Sequence, residues 1–207
     1  MVTVYASDVM MDLQVLQDAL DPQWLTAWNS CHKIGKRQAA ACASLTGLYL
    51  LSRSGARGTL LYEANGKPKL LDAKVDFSIA HTGTCVFCAV LSESSVRNAR
   101  IGFDAEQTGR FSNAVMQELV ARWFAKGERE VFAKSPTEDT FLRIWTHKEA
   151  YVKMTGEGMR ALQSTDTVLI EREKEFLFLD DQRDGVVLSV CVPRDCAGFC
   201  TYVCFEE

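Results

Sequence analysis

Trp145-Thr-His-Lys-Glu-Ala-Tyr-Val-Lys153, closed by Gly156-Glu-Gly158, is the stretch around which this 207-residue chain is organised. Just before it, Ser135-Pro136-Thr137-Glu138 reads as a helix start. Ser135 is the expected cap, Pro136 the first helical residue, and Glu138 the partner in a capping box. Gly156 is placed to end the helix in a left-handed turn. At roughly 100° per residue, Phe141, Trp145, Glu149 and Val152 share one face, so a carboxylate interrupts an apolar stripe. Lys153, one turn on, can approach it. An unpaired buried charge is costly, so Glu149 requires a cation, a metal or a ligand. A structural Glu149–Lys153 pair meets that requirement equally well, and the helix alone does not separate the two readings.

A second acidic cluster favours a site. Ala99-Arg-Ile-Gly-Phe-Asp-Ala-Glu106 reads as a strand. Ile101, Phe103 and Ala105 fall on one face, and Gly102, Asp104 and Glu106 on the other, because strand side chains alternate. Two carboxylates on one face repel unless a positive charge lies between them. An oxygen-only donor set without paired His or Cys suits Mg²⁺ or Mn²⁺ rather than zinc. The plainer alternative is a solvated acidic strand end. The apolar opposite face and the space cleared by Gly102 weigh against it.

Hydrophobic residues make up 47% of the chain and charged residues 24%, ordinary values for a globular protein with a real core. The formal net charge of −4 argues against a general nucleic-acid binder. Met1-Val-Thr-Val-Tyr-Ala lacks the pattern of a signal peptide. Ala39–Leu51 is too short and too polar to cross a bilayer, so a cytoplasmic protein with no membrane association is expected. The eight cysteines do not show metal spacing. Cys85 and Cys88 fall on opposite faces of an expected strand. The preferred reading is free thiols in a reducing compartment.

Residues 1–30 are expected to hold an edge strand at Met1–Ala6 and short helical pieces at Asp12–Leu20 and Trp24–Trp28. A helix is expected over Gln38–Ser52. It follows a basic cluster, Lys33, Lys36 and Arg37, set against the helix dipole, which hints at an anionic ligand, and a solvated basic turn accounts for this segment at least as well. Asn65-Gly66 marks a hairpin between Thr59–Glu63 and Lys69–Leu71. Val75–Ala80 and Thr84–Leu91 read as strands joined at His81-Thr82-Gly83. Ser92–Arg97 is a candidate boundary, dividing the chain into 1–97 and 98–207. Ser112 is expected to cap a helix, and Gly127–Ala133 to form another. Thr167–Ile170, Glu175–Leu179, Val186–Val192 and Phe199–Phe205 look like strands, with a polar turn at Asp180–Gly185.

Gly102-Phe-Asp104-Ala-Glu106, followed by Trp145-x-x-Lys148-Glu149-Ala150-x-x-Lys153, resembles the signature of the 4′-phosphopantetheinyl transferases. The length is similar to that of their long, Sfp-type branch. Gly66-Lys67-Pro68 and Phe77-Ser-Ile-Ala-His81-Thr-Gly83 stand in the order that branch shows. The resemblance covers about residues 30 to 160. It implies an α+β pseudo-dimer of two similar halves, each a small antiparallel sheet packed on a main helix. It further implies coenzyme A as co-substrate, with Lys33, Arg37, Lys67, Pro68, His81, Thr82, Lys148 and Lys153 as its contacts. Asp104, Glu106 and Glu149 would hold Mg²⁺ (or Mn²⁺), and Glu149, Lys153 and Asp104 would be the catalytic residues. The acceptor would be a serine of an apo acyl carrier protein or peptidyl carrier domain, and the chain a monomer. Ala80 stands where the family commonly has Ser, which removes one hydroxyl contact. The same carboxylates would also serve a metal-dependent phosphohydrolase. A non-catalytic module that binds coenzyme A or a carrier domain is a further alternative.

Overall fold

The computed structural model describes residues 1–31, 38–71, 73–92, 99–196 and 200–204, except the side chains of 200 and 202–204. The chain forms two compact units, Met1–Ala99 with Gly198–Glu207, and Arg100–Ala197. Each is built from a small sheet and one long helix.

The first unit opens with β1 (Val2–Ser7) and the short helices α1 (Leu13–Ala19) and α2 (Pro22–Cys31). Asp12 caps α1 by accepting from the Gln14 amide at 2.8 Å. The long helix α3 (Gln38–Arg53) follows, then the hairpin β2 (Thr59–Tyr62) and β3 (Pro68–Leu71), and then β4 (Val75–Thr82) and β5 (Cys85–Ser92). Leu45, Leu48, Leu50 and Leu51 of α3 share one core with Phe77, Val86, Cys88 and Val90 of the sheet. Gly47 allows that approach, since a Cβ there would lie 2.4 Å from Cγ2 of Ile79.

The second unit contains β6 (Gly102–Gln107), α4 (Asn113–Trp123), α5 (Lys126–Lys134), α6 (Glu138–Thr155), α7 (Thr167–Glu173), β7 (Phe176–Arg183) and β8 (Val186–Pro193). Its strands are antiparallel in the order β6-β8-β7, with β7 and β8 joined across Asp184-Gly185. Both turn residues have positive φ, 49° and 76°, which suits a tight hairpin. Phe111, Phe124, Phe132, Phe141 and Trp145 form the aromatic centre of this unit's core.

The structure corrects several expectations. The last strand, β9 (Cys200–Cys204), pairs in parallel with β1, giving the sheet order β4-β5-β1-β9. β1 is therefore an inner strand, not an edge, and the first unit's sheet is mixed rather than wholly antiparallel. β9 also lies with the first unit, whereas residues 98–207 were expected as one half. Thr167–Ile170 is helical, because Asp166 caps it by accepting from the Val168 and Leu169 amides. The cap of α6 is Thr137, whose side chain accepts from the Thr140 amide at 3.2 Å; Ser135 instead closes α5. Glu138 is not in a capping box there. Its Oε1 accepts from the Gly109 amide at 2.7 Å, tying α6 to the loop after β6.

Candidate functional site

The site begins with a missing side chain. α6 crosses β6 at Gly102, where a Cβ would fall 1.8 Å from the Ala150 carbonyl oxygen and 2.6 Å from the Met154 nitrogen. Only glycine permits that spacing. The close crossing brings Asp104 and Glu106, farther along β6, alongside the residues on the last turns of α6. Gly156 ends α6 in a left-handed conformation, with its amide donating to the Val152 carbonyl at 2.9 Å.

Lys153 Nζ lies 2.6 Å from Asp104 Oδ1 and 3.8 Å from Glu149 Oε2, so a strand carboxylate and a helix carboxylate converge on one ammonium. Glu106 is buried beside them and is paired with Arg110 from the loop after β6. Burial, and then repulsion from Glu106, push the Asp104 carboxyl up to about 6 against the opposing pull of Lys153. Burial, and then repulsion from Asp104, push Glu149 up to about 7, with Lys153 and Arg110 opposing. Burial draws the Lys153 ammonium down, but the two carboxylates outweigh it and the net direction is up. The cluster is thus short of positive charge.

One atom shows this directly. Asp104 Oδ2 is buried and has no hydrogen-bond partner among the described residues. An orphaned carboxylate oxygen, within an all-oxygen donor set, fits a hard divalent cation. Among the described residues, no three His, Cys, Asp or Glu side chains stand together in metal-holding geometry. The carboxylates are instead turned to the chain's own cations, Lys153 and Arg110.

Lys148 departs from expectation. Its side chain is 0% exposed, with Nζ 2.7 Å from Glu128 Oε2 and also donating to the Thr165 carbonyl. An ammonium enclosed in the core does not reach a phosphate, so Lys148 supports the helix rather than the ligand. Glu128 completes the arrangement. It accepts from the Ala125 amide at 2.7 Å, the Thr167 amide at 3.0 Å and the Thr167 hydroxyl at 2.9 Å, joining α5, α6 and α7. His147 is also fixed, stacked 4.1 Å from the ring of Phe178 with Nε2 2.8 Å from Asp180. Sequence reasoning missed Arg110, Glu128 and Asp180. Only Arg110, four residues after Glu106, carried a local signal.

In the first unit, Lys67 Nζ is 3.2 Å from Asp76, and Pro68 opens β3. His81 and Thr82 belong to β4 itself, not to the turn, with His81 exposed and Thr82 buried. Lys33 and Arg37 lie outside the described residues.

Residues 100–191 match the 4′-phosphopantetheinyl transferase superfamily. The chain is 30% identical over 154 residues to 4′-phosphopantetheinyl transferase AcpT of Salmonella typhimurium, covering 72% of this chain and 75% of that protein. The chain belongs to the 4′-phosphopantetheinyl transferase superfamily. It is also 33% identical over 119 residues to 4′-phosphopantetheinyl transferase HetI of Nostoc sp., and 32% over 115 residues to 4′-phosphopantetheinyl transferase Sfp of Bacillus subtilis. Each of these two alignments takes in 54% of this chain and about half of the relative, 47% and 46%. The segment matched to the superfamily nearly coincides with the second unit and contains Asp104, Glu106, Arg110, Glu128, Glu149 and Lys153.

Proposed function

We propose that this chain transfers the 4′-phosphopantetheine group from coenzyme A to a serine of an apo carrier protein, in a Mg²⁺-dependent reaction. The observation that carries the proposal is the convergence of Asp104 and Glu149 on one cation position, beside a buried Asp104 oxygen that has no hydrogen-bond partner among the described residues. It lies within the segment matched to the superfamily.

Asp104, Glu106 and Glu149 would hold the ion, with substrate oxygens and water completing its shell. When bound, Mg²⁺ supplies charge neutralisation on the pyrophosphate. Lys153 adds a fixed positive charge at the transferring phosphoryl group. Glu149 accepts the proton of the serine hydroxyl. The serine oxygen bonds to the phosphorus bearing pantetheine, and the bond from that phosphorus to the bridging oxygen breaks. Adenosine 3′,5′-bisphosphate leaves. The first unit would hold the adenosine and phosphate end of coenzyme A through Lys33, Arg37, Lys67, Pro68, His81 and Thr82. We assign the chain to the cytoplasm as a monomer. The described cysteines form no disulfide, which suits a reducing compartment, and no helix among the described residues is long and apolar enough to cross a membrane.

The test is mass spectrometry of several apo carrier proteins incubated with coenzyme A and Mg²⁺. The expected result is the phosphopantetheine mass on the carrier serine, lost when EDTA is added. Hydrolysis of coenzyme A or nucleotides with no carrier modified would overturn the proposal in favour of a phosphohydrolase.

A further inference from the structure

Glu106, one of the residues that would hold the ion, is paired with Arg110, to which the proposed reaction gives no role. Glu106 is on β6, 7% exposed, and faces the carboxylate cluster. Arg110 holds it through Nη1 from the loop four residues on. The Arg110 side chain is 49% exposed, so a half-solvated cation serves a largely buried carboxylate. The guanidinium lies 5.2 Å from the centre of the Phe111 ring. Phe111 meets Phe141 edge-on at 5.4 Å, and Phe141 stacks on Trp145 at 6.0 Å. This aromatic ladder runs along the face of α6 that leads to Glu149, and the Arg110 charge is felt there, opposing the upward push on Glu149.

The charges in the cluster do not allow all its partners at once. Asp104, Glu106 and Glu149 carry three negative charges when ionised, and Lys153 and Arg110 supply two positive ones. A divalent cation on Glu106 competes with the guanidinium for the same oxygens. Lys153 is anchored to buried Asp104 and has the less exposed side chain, so Arg110 is the cation that water can receive.

Resting on the metal reading above, we infer that Arg110 is the resident counter-ion of the site: it holds Glu106 when no metal is bound, is displaced from it by the metal, and then contacts the anionic phosphates of the co-substrate. A guanidinium suits both partners, because its planar fork matches carboxylate and phosphate oxygens alike. Removing it therefore strengthens metal binding and weakens co-substrate binding. A residue that merely supports the fold would not produce these opposite signs.

The experiment is a Mn²⁺ titration of EDTA-stripped protein, followed by calorimetry and by electron paramagnetic resonance of free Mn²⁺. It compares the unsubstituted chain, Arg110→Gln, Arg110→Lys and Asp104→Ala. Arg110→Gln is expected to bind Mn²⁺ about three- to tenfold tighter, the scale of one ordinary net hydrogen bond released from competition, since the half-exposed guanidinium is screened by water. Its KM for coenzyme A is expected to rise by a comparable factor, and Arg110→Lys to fall between. Unchanged or weaker Mn²⁺ binding by a folded Arg110→Gln protein overturns the inference, and so does an unchanged KM. If the unsubstituted chain binds no more Mn²⁺ than Asp104→Ala does, the metal reading itself fails.

Discussion

Gly102 and Ala150 are so close that no side chain fits between them. A Cβ on the strand residue would stand 1.8 Å from the carbonyl oxygen of the helix residue. Because the obstacle is backbone, relief requires moving α6 away from β6. Gly102→Ala is expected to destabilise the second unit by about 3 kcal/mol, near the upper end for overpacking. It should also reduce transfer disproportionately, since Asp104 and Glu149 would no longer share one cation position. Urea denaturation and carrier modification on the same preparation check this. Full activity in a folded variant would count against the close crossing.

Glu149→Gln separates stability from activity. The native carboxylate is repelled by Asp104 and held in a desolvated position. The amide removes that repulsion, so the metal-free protein is expected to gain on the order of 1 kcal/mol while transfer falls at least a hundredfold. Chemical denaturation in EDTA reads the first effect and mass spectrometry of the carrier the second.

The same carboxylates give a pH dependence whose sign can be worked out. Asp104 at about 6 and Glu149 at about 7 both lie above their ordinary carboxylate values, so folding favours their protonated forms. That stabilisation is present at low pH and is lost as pH rises through the folded values. In EDTA the urea midpoint should therefore fall between about pH 4 and pH 7 and level off above that, with a loss of roughly a few kcal/mol in unfolding free energy. Saturating Mg²⁺ should reverse the fall. A midpoint that rises over this interval without metal would contradict the stated surroundings of both groups.

Removing one partner of the Lys148–Glu128 pair strands a buried charge, so Lys148→Met is expected to cost about 4 kcal/mol. Glu128→Leu should cost as much or more, because it also abandons the Ala125 and Thr167 donors. The double variant should be less destabilised than the sum of the two. Thermal unfolding of all four proteins closes the cycle. Additivity would show that the pair is not coupled.

The site was legible because its signals are local. Alternation along β6 placed Asp104 and Glu106 together, and the spacing on α6 placed Glu149 beside Lys153. Where local signals competed, the sequence misled. Ser135 and Thr137 are both capping residues, and the end of α5 claims the first. Thr167–Ile170 is rich in β-branched residues, yet the Asp166 cap and the buried Glu128 carboxylate on the Thr167 amide make it helical. Lys148 falls on the true buried stripe of α6 with Phe141, Trp145 and Val152. Its partner Glu128 is distant in sequence, and nothing adjacent marks it. The parallel pairing of β9 with β1 is likewise a long-range choice that no single segment encodes.

That pairing bears on biosynthesis. A ribosome making this chain delivers β1, β4 and β5 early and β9 only after the whole of residues 100–196. During that interval one flank of β1 has no β9 to pair with, so its exposed amides and carbonyls are open to mispairing with other nascent polypeptides until the last strand emerges.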